Sequence, residues 1–461
     1  MIKVLNQYFP GRLFVLLVTE NVLILLAIWG TVSFQLGASE ISAHPTLFLK
    51  ALVVTAICQL CFYYADIYDL RTIASKVEVF FRLLQALGAA AILLAGLFVL
   101  FPDMRLGERV VEISILATVF TILLWRFLVE WLNRTYGGGE RILLVGSADA
   151  VQDLAREIKH RPDLPIELLG TVSENEESHP PIEGLKDLGS LSHLESIISE
   201  TSPDRVIVAL KERRQQLPIN MLLKKRMQGL LIEEASTLYQ KITGKIPVES
   251  IHPSSLIFSE GFLQSPFRRA YARIFGFLGG VVALILSGPI MLLVAIAIKL
   301  ESKGPVLYRQ ARVGKNGKPF EILKFRSMRI DAESLSGPVW ASKKDPRITR
   351  VGNIIRKVRF DELPQFLNVL YGQMGFVGPR PERPHFVAQL AEQIPFYDLR
   401  HSVRPGITGW AQVSFDYGAT VDDSKQKLEY DLFYIKNVSL TLDLLILFQT
   451  IKIVLFGKGA R

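Results

Sequence analysis

Four long apolar runs occupy the first third of the chain, near residues 13–33, 46–65, 83–101 and 110–132. Each has roughly the length that a helix needs to cross a hydrocarbon core of ~30 Å. That restricts the region to a bundle of membrane helices. Positive charge is uneven in the connections. Lys3 and Arg12 precede the first run, Arg71, Lys76 and Arg82 separate the second and third, and Arg134 and Arg141 follow the fourth. The other two loops hold fewer cations, His44 beside Glu40 in one, and Arg105 and Arg109 beside Asp103 and Glu108 in the other. Positive charge marks the cytoplasmic side, so four crossings bring the chain back to the cytoplasm near residue 134. No small-residue cleavage site follows the first run, which predicts an uncleaved anchor.

Glu20 and Arg126 fall inside this apolar region. Ionisable groups at such depth cost ~2.5–3.5 kcal/mol on insertion scales. Counted inward at ~1.5 Å per residue, both sit about 10 Å from the same face, so a structural ion pair is expected. Cys58 and Cys61 form a C-x-x-C pair, but nothing around them resembles a redox unit or a second ligand pair. They are expected to be small apolar residues of a helix, in a protein with no disulfide framework.

Charge is distributed by region. Residues 1–136 hold 10 Lys+Arg against 9 Asp+Glu, residues 137–261 hold 14 against 19, and residues 262–461 hold 29 against 16. The whole surplus therefore lies in the last part, where it suits an anionic lipid surface or a nucleotide phosphate. No nucleic-acid motif accompanies it, and nucleic acid is not expected as a partner. That same part opens with a fifth apolar stretch. Between Arg273 and Lys299 there is no charged side chain, yet Ser287, Gly288 and Pro289 lie at the centre. Arg268, Arg269 and Arg273 flank it before, and Lys299, Lys303, Arg309, Arg312, Lys315 and Lys318 after. Both flanks are positive, so both should stay inside. Pro289 removes a backbone donor, and Ser287 can satisfy freed backbone groups in lipid. The expectation is a re-entrant helix–break–helix over 274–298, rather than a Pro-kinked full span.

The middle of the chain alternates. Residues 141–160, RILLVGSADAVQDLAREIKH, read as strand, tight turn and helix, and IELLGTV and DRVIVAL read as further buried strands. Helical patterns near 191–201 and 217–228 complete an α/β pattern with a parallel sheet, a Rossmann-like domain. The glycine fingerprint of dinucleotide sites is absent, because Ser147, Ala148, Asp149 and Ala150 follow Gly146. Without those glycines the backbone cannot approach a pyrophosphate closely. A regulatory or assembly role is expected. The domains are therefore 1–136 (four spans), 137–250 (Rossmann-like), 251–267 (a linker with Pro253 and Pro266) and 268–461.

The last part carries polar groups at high density. KPFEILKFRSMR supplies Lys324, Arg326 and Arg329; DPRITRVGNIIRKVRFDELPQFLNVL and GFVGPRPERP follow, with Arg356 and Arg380. Arginine suits forked contact with phosphate oxygens. These cations bracket the pair Asp361–Glu362, just before Pro364, which favours a first helical turn. Adjacent carboxylates among arginines have a chemical use: one can bind Mg²⁺ while the other attacks phosphorus.

With these residues in place, the sequence resembles the bacterial sugar transferases, the monotopic phosphoglycosyl transferases. The motifs are KFRSM, DPRITRVG, R-x4-DELPQ-x2-NVL-x-G-x-M-x-x-VGPRPE, RPGITGWAQV and KLEYDLFYIKN. The spans and the Rossmann-like domain match the large subclass of that family, so the likeness covers essentially the whole chain. It implies a mainly α catalytic domain with a re-entrant helix in a multi-domain membrane protein. It implies a two-step exchange in which Asp361 attacks the sugar-bearing phosphate of a UDP-sugar, expels UMP, and passes the sugar-phosphate to undecaprenyl phosphate. Glu362 would hold Mg²⁺, Lys324, Arg356 and Arg380 match basic positions near the phosphates, and Asp431 matches an acidic position in a supporting role. The family's break is a Ser-Pro step, whereas this chain has Ser-Gly-Pro. A cytoplasmic face of the bacterial inner membrane, membrane lipid contacts and a homodimer are implied as well.

SLTLDLLILFQTIKIVLF, near the C-terminus, reads as an interfacial helix because Asp443 and Lys452 interrupt it. His252, His385 and His401 have no metal-ligand spacing, and Trp410 and Tyr417 read as anchors before they read as base-stacking groups. Two other functions stand beside the transferase: a polytopic enzyme without a covalent intermediate, which needs more spans, and a non-catalytic scaffold or nucleotide sensor of polysaccharide assembly. The sequence does not name the sugar.

Overall fold

A computed structural model describes residues 2–4, 7–9, 11–43, 46–68, 76–104, 110–136, 139–146, 148–161, 164, 166–173, 185–209, 217–248, 262, 266–330, 347–415, 418 and 420–456. The chain forms two compact units that divide at Ala235/Ser236. His252 and Tyr417 lie outside the described residues.

Two three-residue strands, β1 (Ile2–Val4) and β2 (Gln7–Phe9), precede four helices. These are α1 (Gly11–Ala43), α2 (Leu47–Tyr64), α3 (Lys76–Leu100) and α4 (Val110–Tyr136), where the apolar runs place them. The first three contain stretches long and apolar enough to cross a membrane. In α4 the apolar stretch Ile113–Val129 is shorter and carries Arg126. Ile24, Ile28, Phe62, Leu83 and Ile122 are packed inside the bundle. Phe34, Ile92, Leu116 and Phe120 are exposed on its outside, an arrangement suited to lipid and costly in water. Cys58 and Cys61 are free thiols buried in this core.

Glu20 and Arg126 meet as the depth estimate predicts. Arg126 Nε donates to Glu20 Oε1 at 2.7 Å and Nη2 donates to Oε2 at 3.2 Å, a forked pair. The Tyr68 hydroxyl donates to Glu20 Oε2 at 2.6 Å, and Gln59 in turn donates to Tyr68. Glu20 is completely buried.

Also in the first unit is a five-stranded parallel sheet. Its strands are β3 (Glu140–Gly146), β4 (Ile166–Ser173), β5 (Asp187–Ser190), β6 (Arg205–Ala209) and β7 (Leu231–Glu234), in the order β5-β4-β3-β6-β7. Counted from the first strand this is 3-2-1-4-5, the order of nucleotide-binding doubly wound sheets. Helices α5 (Ala148–Lys159), α6 (Leu194–Thr201) and α7 (Ile219–Met227) intervene. Gly146 ends β3 at φ +141°, and a Cβ there would lie 2.5 Å from the Ala209 carbonyl of β6. Strands β5 and β7 have no alternating or continuous apolar pattern, which is why sequence reasoning passes over them. Arg205 ties three strands together, reaching Glu140 and Glu233 at 2.7 Å each.

The second unit begins within α8 (Ala235–Thr243), earlier than a domain boundary at 250. The segment after α8 is part of this unit's core. Ile246 N donates to the Glu429 carbonyl, Val248 N donates to Glu429 Oε1, and the Trp410 indole donates to the Gly244 carbonyl at 2.9 Å. Trp410 also stacks on Phe433, so it latches this segment to the later helix that carries Phe433.

Next comes α9 (Pro266–Glu301), which holds the apolar span 272–301. It is one uninterrupted helix with Pro289 inside, where two helices with a break were expected. The Ser287 hydroxyl donates to the Ala283 carbonyl at 2.6 Å, so it is spent within the helix. Near the start of α9, a Cβ on Gly279 or Gly280 would meet Phe376 at 2.6 Å or Leu370 at 2.9 Å. Near its end, Val294 and Ile298 pack with Phe325 and Ile355. Both ends of the helix are thus held by the same folded unit.

A hairpin of β8 (Leu307–Val313) and β9 (Pro319–Phe325) follows, then α10 (Arg350–Lys357), α11 (Gln365–Leu370), β10 (Gly375–Val377) and α12 (Pro384–Gln393). The chain closes with β11 (Gly406–Thr408), α13 (Trp410–Ser414), α14 (Val421–Asn437) and α15 (Leu440–Phe456). Leu428, Leu432, Ile435, Leu442 and Ile446 of α14 and α15 lie in its main core.

The ion pair of the bundle can be tested directly. Glu20→Ala or Arg126→Ala strands the remaining charge and is expected to cost about 3–5 kcal/mol. The double variant should lose clearly less than the sum, and strictly additive losses in unfolding from detergent would exclude the coupling.

Candidate active site

Asp361 and Glu362 lie in a single 3₁₀ turn, Phe360–Glu362, one residue pair ahead of α11. Arg359 enters the turn at φ +61°, a left-handed conformation rarely adopted by a residue with a Cβ and commonest where a site must be held in shape. Two devices hold the turn against its neighbours. Asn368 of α11 accepts from Leu323 N at 3.0 Å and donates to the Glu321 carbonyl at 2.7 Å, which clips α11 onto β9. Thr349 caps α10, and a Cβ on Gly352 would lie 2.0 Å from the Ser327 carbonyl, so only glycine lets α10 approach β9's exit this closely.

Strand β9 thereby brings Lys324 to the carboxylates. Lys324 Nζ stands 3.5 Å from Glu362 Oε1, and Arg380 Nη2 donates to the same oxygen at 2.7 Å. Arg359 reaches it at 4.0 Å. Burial pushes the Glu362 carboxyl upward, but Arg380, Lys324 and Arg359 outweigh it and hold the group well below the usual carboxylate range. Asp361 behaves in the opposite way. Burial and the neighbouring Glu362 charge raise it above its ordinary value, against the pull of Lys324, Arg356 and Arg359. Lys324 is itself lowered, chiefly by burial. Among the described residues Asp361 makes no hydrogen bond or ion pair, and the Arg356 guanidinium makes none either. One carboxylate is therefore clamped and ionised, and its neighbour is left with unused lone pairs near the Arg356 guanidinium. That is the division of roles expected of a nucleophile next to a charge-bearing partner.

Asp431 does not touch the carboxylates. It is buried on α14 and pairs with Arg400 at 2.8 Å. Arg400 Nη2 also donates to the backbone carbonyl of Arg380 at 3.1 Å, and Nη1 donates to the Tyr397 hydroxyl. The chain of contacts runs Asp431, Arg400, the Arg380 backbone, the Arg380 guanidinium, Glu362. Burial pushes the Asp431 carboxyl up to about 6, against the pull of Arg400. Two residues, Arg400 and Arg380, stand between Asp431 and Glu362, and Arg400 is the member that sequence reasoning missed. Its only signal in the sequence is an arginine four residues before RPGITG.

Arg326 goes elsewhere. Its guanidinium donates to the Lys303 carbonyl at 3.0 Å and to the Ser302 carbonyl and hydroxyl at 2.9 and 2.8 Å. Expected at the phosphates, it instead fastens the end of α9, because β9 ends at Phe325 and the pleat that would keep residues 324 and 326 on one face stops before Arg326. Ser287, Gly288 and Pro289 lie within α9, away from the carboxylates in sequence and contact. His401 is buried, and its pKa falls to about 4 through burial and the charge of Arg400. It is neutral at pH 7 and packs edge-on to Tyr397. His385 lies against Phe386.

This arrangement belongs to a recognised set of proteins. The family model described as bacterial sugar transferase matches residues 267–457, which contain every residue of the site. A second model, described as a CoA-binding domain, matches residues 64–226, from the end of α2 through the first four strands of the parallel sheet. The chain is 32% identical over 428 residues to a UDP-glucose:undecaprenyl-phosphate glucose-1-phosphate transferase of Klebsiella pneumoniae, covering 87% of each chain. It is 49% identical over 222 residues to a UDP-N-acetylgalactosamine-undecaprenyl-phosphate N-acetylgalactosaminephosphotransferase of Aeromonas hydrophila, covering 48% of this chain and 52% of that one. It is 44% identical over 196 residues to the exopolysaccharide production protein PSS of Rhizobium leguminosarum, covering 41% of this chain and 96% of that one. The chain belongs to the bacterial sugar transferase family.

Two substitutions separate fastening from chemistry. Arg326→Gln takes the donor from the Ser302 and Lys303 carbonyls, a loss of about 1–3 kcal/mol, and Arg400→Gln leaves the buried Asp431 carboxylate unpaired, a loss of about 3–5 kcal/mol. Each is expected to lower Tm by several degrees; an unchanged Tm for either would remove it from this structural role.

Proposed function

We propose that the protein transfers a sugar-1-phosphate from a UDP-sugar to undecaprenyl phosphate, releasing UMP, through a covalent phosphosugar on Asp361. The observation that carries this is the split between the two carboxylates: Glu362 is locked by Arg380 and Lys324, while Asp361 is raised and unengaged. The names of the relatives supply the donor and acceptor classes.

In the first step a carboxylate oxygen of Asp361 bonds to the phosphorus that carries the sugar. The bond from that phosphorus to the bridging oxygen breaks, and the oxygen leaves with its electron pair as part of UMP. In the second step an oxygen of the lipid phosphate bonds to the same phosphorus, the acyl-phosphate bond breaks, and the Asp361 carboxylate is restored. The lipid phosphate is already ionised at neutral pH, so neither step needs a general base. This agrees with a buried, neutral His401. Lys324, Arg356 and Arg380 would offset the negative charge of the diphosphate as it approaches.

Mg²⁺ suits the donor set. Among the described residues no group of three or more His, Cys, Asp or Glu converges, so a metal here would draw most of its ligands from substrate phosphates and water, as Mg²⁺ commonly does. Glu362 would hold it, and bound there it would neutralise the diphosphate.

The membrane arrangement proposed here rests on α9. Its glycine-lined start and its Val294–Ile298 end both pack on one unit, which supports a continuous helix that bends at Pro289, dips into the membrane and returns. Its flanks are positive, so the site would face the cytoplasmic leaflet of the inner membrane, where soluble UDP-sugars meet the lipid phosphate. Assembly as a homodimer and a place at the start of exopolysaccharide, capsule or O-antigen synthesis are part of the same proposal.

The deciding measurement is UMP release by the full chain in membranes with undecaprenyl phosphate, offered UDP-N-acetylgalactosamine and UDP-glucose in turn. Asp361→Asn is expected to lose at least about 10³-fold in rate; full activity in that variant would exclude the covalent route. The pH profile adds a second test. Asp361 must be ionised to attack and lies above the usual range, so activity should fall on the acid side at a higher pH than an ordinary carboxylate dictates. Lys324→Met removes a charge that lowers the Asp361 pKa, so its acid limb should move to higher pH; movement to lower pH would contradict the assignment.

A further inference from the structure

We propose that a cleft beside the first turns of α9 binds the phosphate head of an anionic membrane lipid, held by Arg404 of its lining. The cleft encloses about 730 Å³, its open mouth included, and its walls are mostly apolar, with Phe275, Phe376, Val403 and Val438 among them. None of its lining residues is a member of the carboxylate cluster.

Arg404 lines the cleft half-buried, and among the described residues its guanidinium makes no hydrogen bond or ion pair. Arg273 is close enough for its charge to disfavour that of Arg404, beside the larger effect of burial. The polar contacts of Arg273 are with two backbone carbonyls, Val369 at 3.5 Å and Leu370 at 3.3 Å, long for such bonds. Arg404 thus faces a partly desolvated space with no carboxylate of its own and a like charge close by, which is unfavourable until an anion joins it. Lys315 adds a second cation to the lining. Asp443 is the one carboxylate there, and it already accepts from the Tyr434 hydroxyl at 2.9 Å.

Position selects the anion. Ala272, which lines the cleft, is also the first residue of the 30-residue apolar span of α9. A helix entering a bilayer there sets Arg404 at the level of headgroup phosphates, with the apolar walls turned toward the lipid chains. A phosphate that carries an apolar tail satisfies both parts of the site. The inference rests on the proposal that this span enters the membrane; it does not depend on the covalent chemistry of Asp361.

Native mass spectrometry of the detergent-solubilised full chain tests it, titrated separately with phosphatidylglycerol, a polyprenyl phosphate, phosphatidylcholine and inorganic phosphate. One molecule of an anionic lipid should bind in preference to phosphatidylcholine. Arg404→Gln should weaken that binding about tenfold or more. Ala272→Trp, which blocks the cleft without changing charge, should weaken it too. The tighter of the two anionic lipids identifies the source of the phosphate. Asp361→Asn should bind lipid as the parent chain does, so a failure of the covalent route leaves this result readable. Equal affinity in the parent, Arg404→Gln and Ala272→Trp overturns the site, and so does inorganic phosphate binding as tightly as the lipids.

Discussion

Everything at the paired carboxylates depends on one charged hydrogen bond, from Arg380 to Glu362. Two adjacent carboxylates in a buried turn repel one another, and burial alone would protonate both. The guanidinium, with Lys324 beside it, settles which of them stays ionised. Glu362 takes the cations and Asp361 is left raised and free. The contact is only as good as the placement of Arg380, and that is set from behind. Arg400 grips the Arg380 backbone, and Asp431 and Tyr397 grip Arg400. A long, flexible arginine becomes a fixed electrostatic element because its main chain is anchored through a buried ion pair.

The same unit is organised around α9. Small residues at its start, Gly276, Gly279 and Gly280, allow α11 and Phe376 to approach the helix backbone. Its far end is fastened by Arg326, which satisfies carbonyls just beyond the last turn, and by the packing of Val294 and Ile298. The turn with Asp361 sits between these attachments, since Phe360 and Leu363 pack in the same cluster as Val294. The apolar helix and the carboxylate turn are therefore one mechanical piece. The segment 244–248 belongs to this piece too, through Trp410 and Glu429.

Much of this was legible in the sequence, and the reasons are physical. Apolar runs of membrane length cannot be disguised, so α1 to α4 and the span of α9 fall where periodicity and hydropathy put them. The Glu20–Arg126 pair was legible because depth in a membrane is a one-dimensional quantity, countable along each helix. Strands β5 and β7 were not, because short strands at or near a sheet edge need no apolar pattern. The uninterrupted helix through Pro289 was also missed. A proline removes one hydrogen bond, and its neighbours can still keep helical geometry when packing holds both sides.

The sequence by itself determined the membrane bundle, the parallel α/β domain, and a carboxylate pair in a strongly basic region. Those features are written in local composition and spacing. Only the tertiary structure decided which cations serve that pair. Arg326 and Lys324 are two residues apart, yet one fastens a helix and the other faces the carboxylates. Arg400 and Asp431, distant along the chain, turn out to support the clamp. A charged side chain acts over a few ångströms, and which groups come within that range is set by long-range packing that no local pattern records.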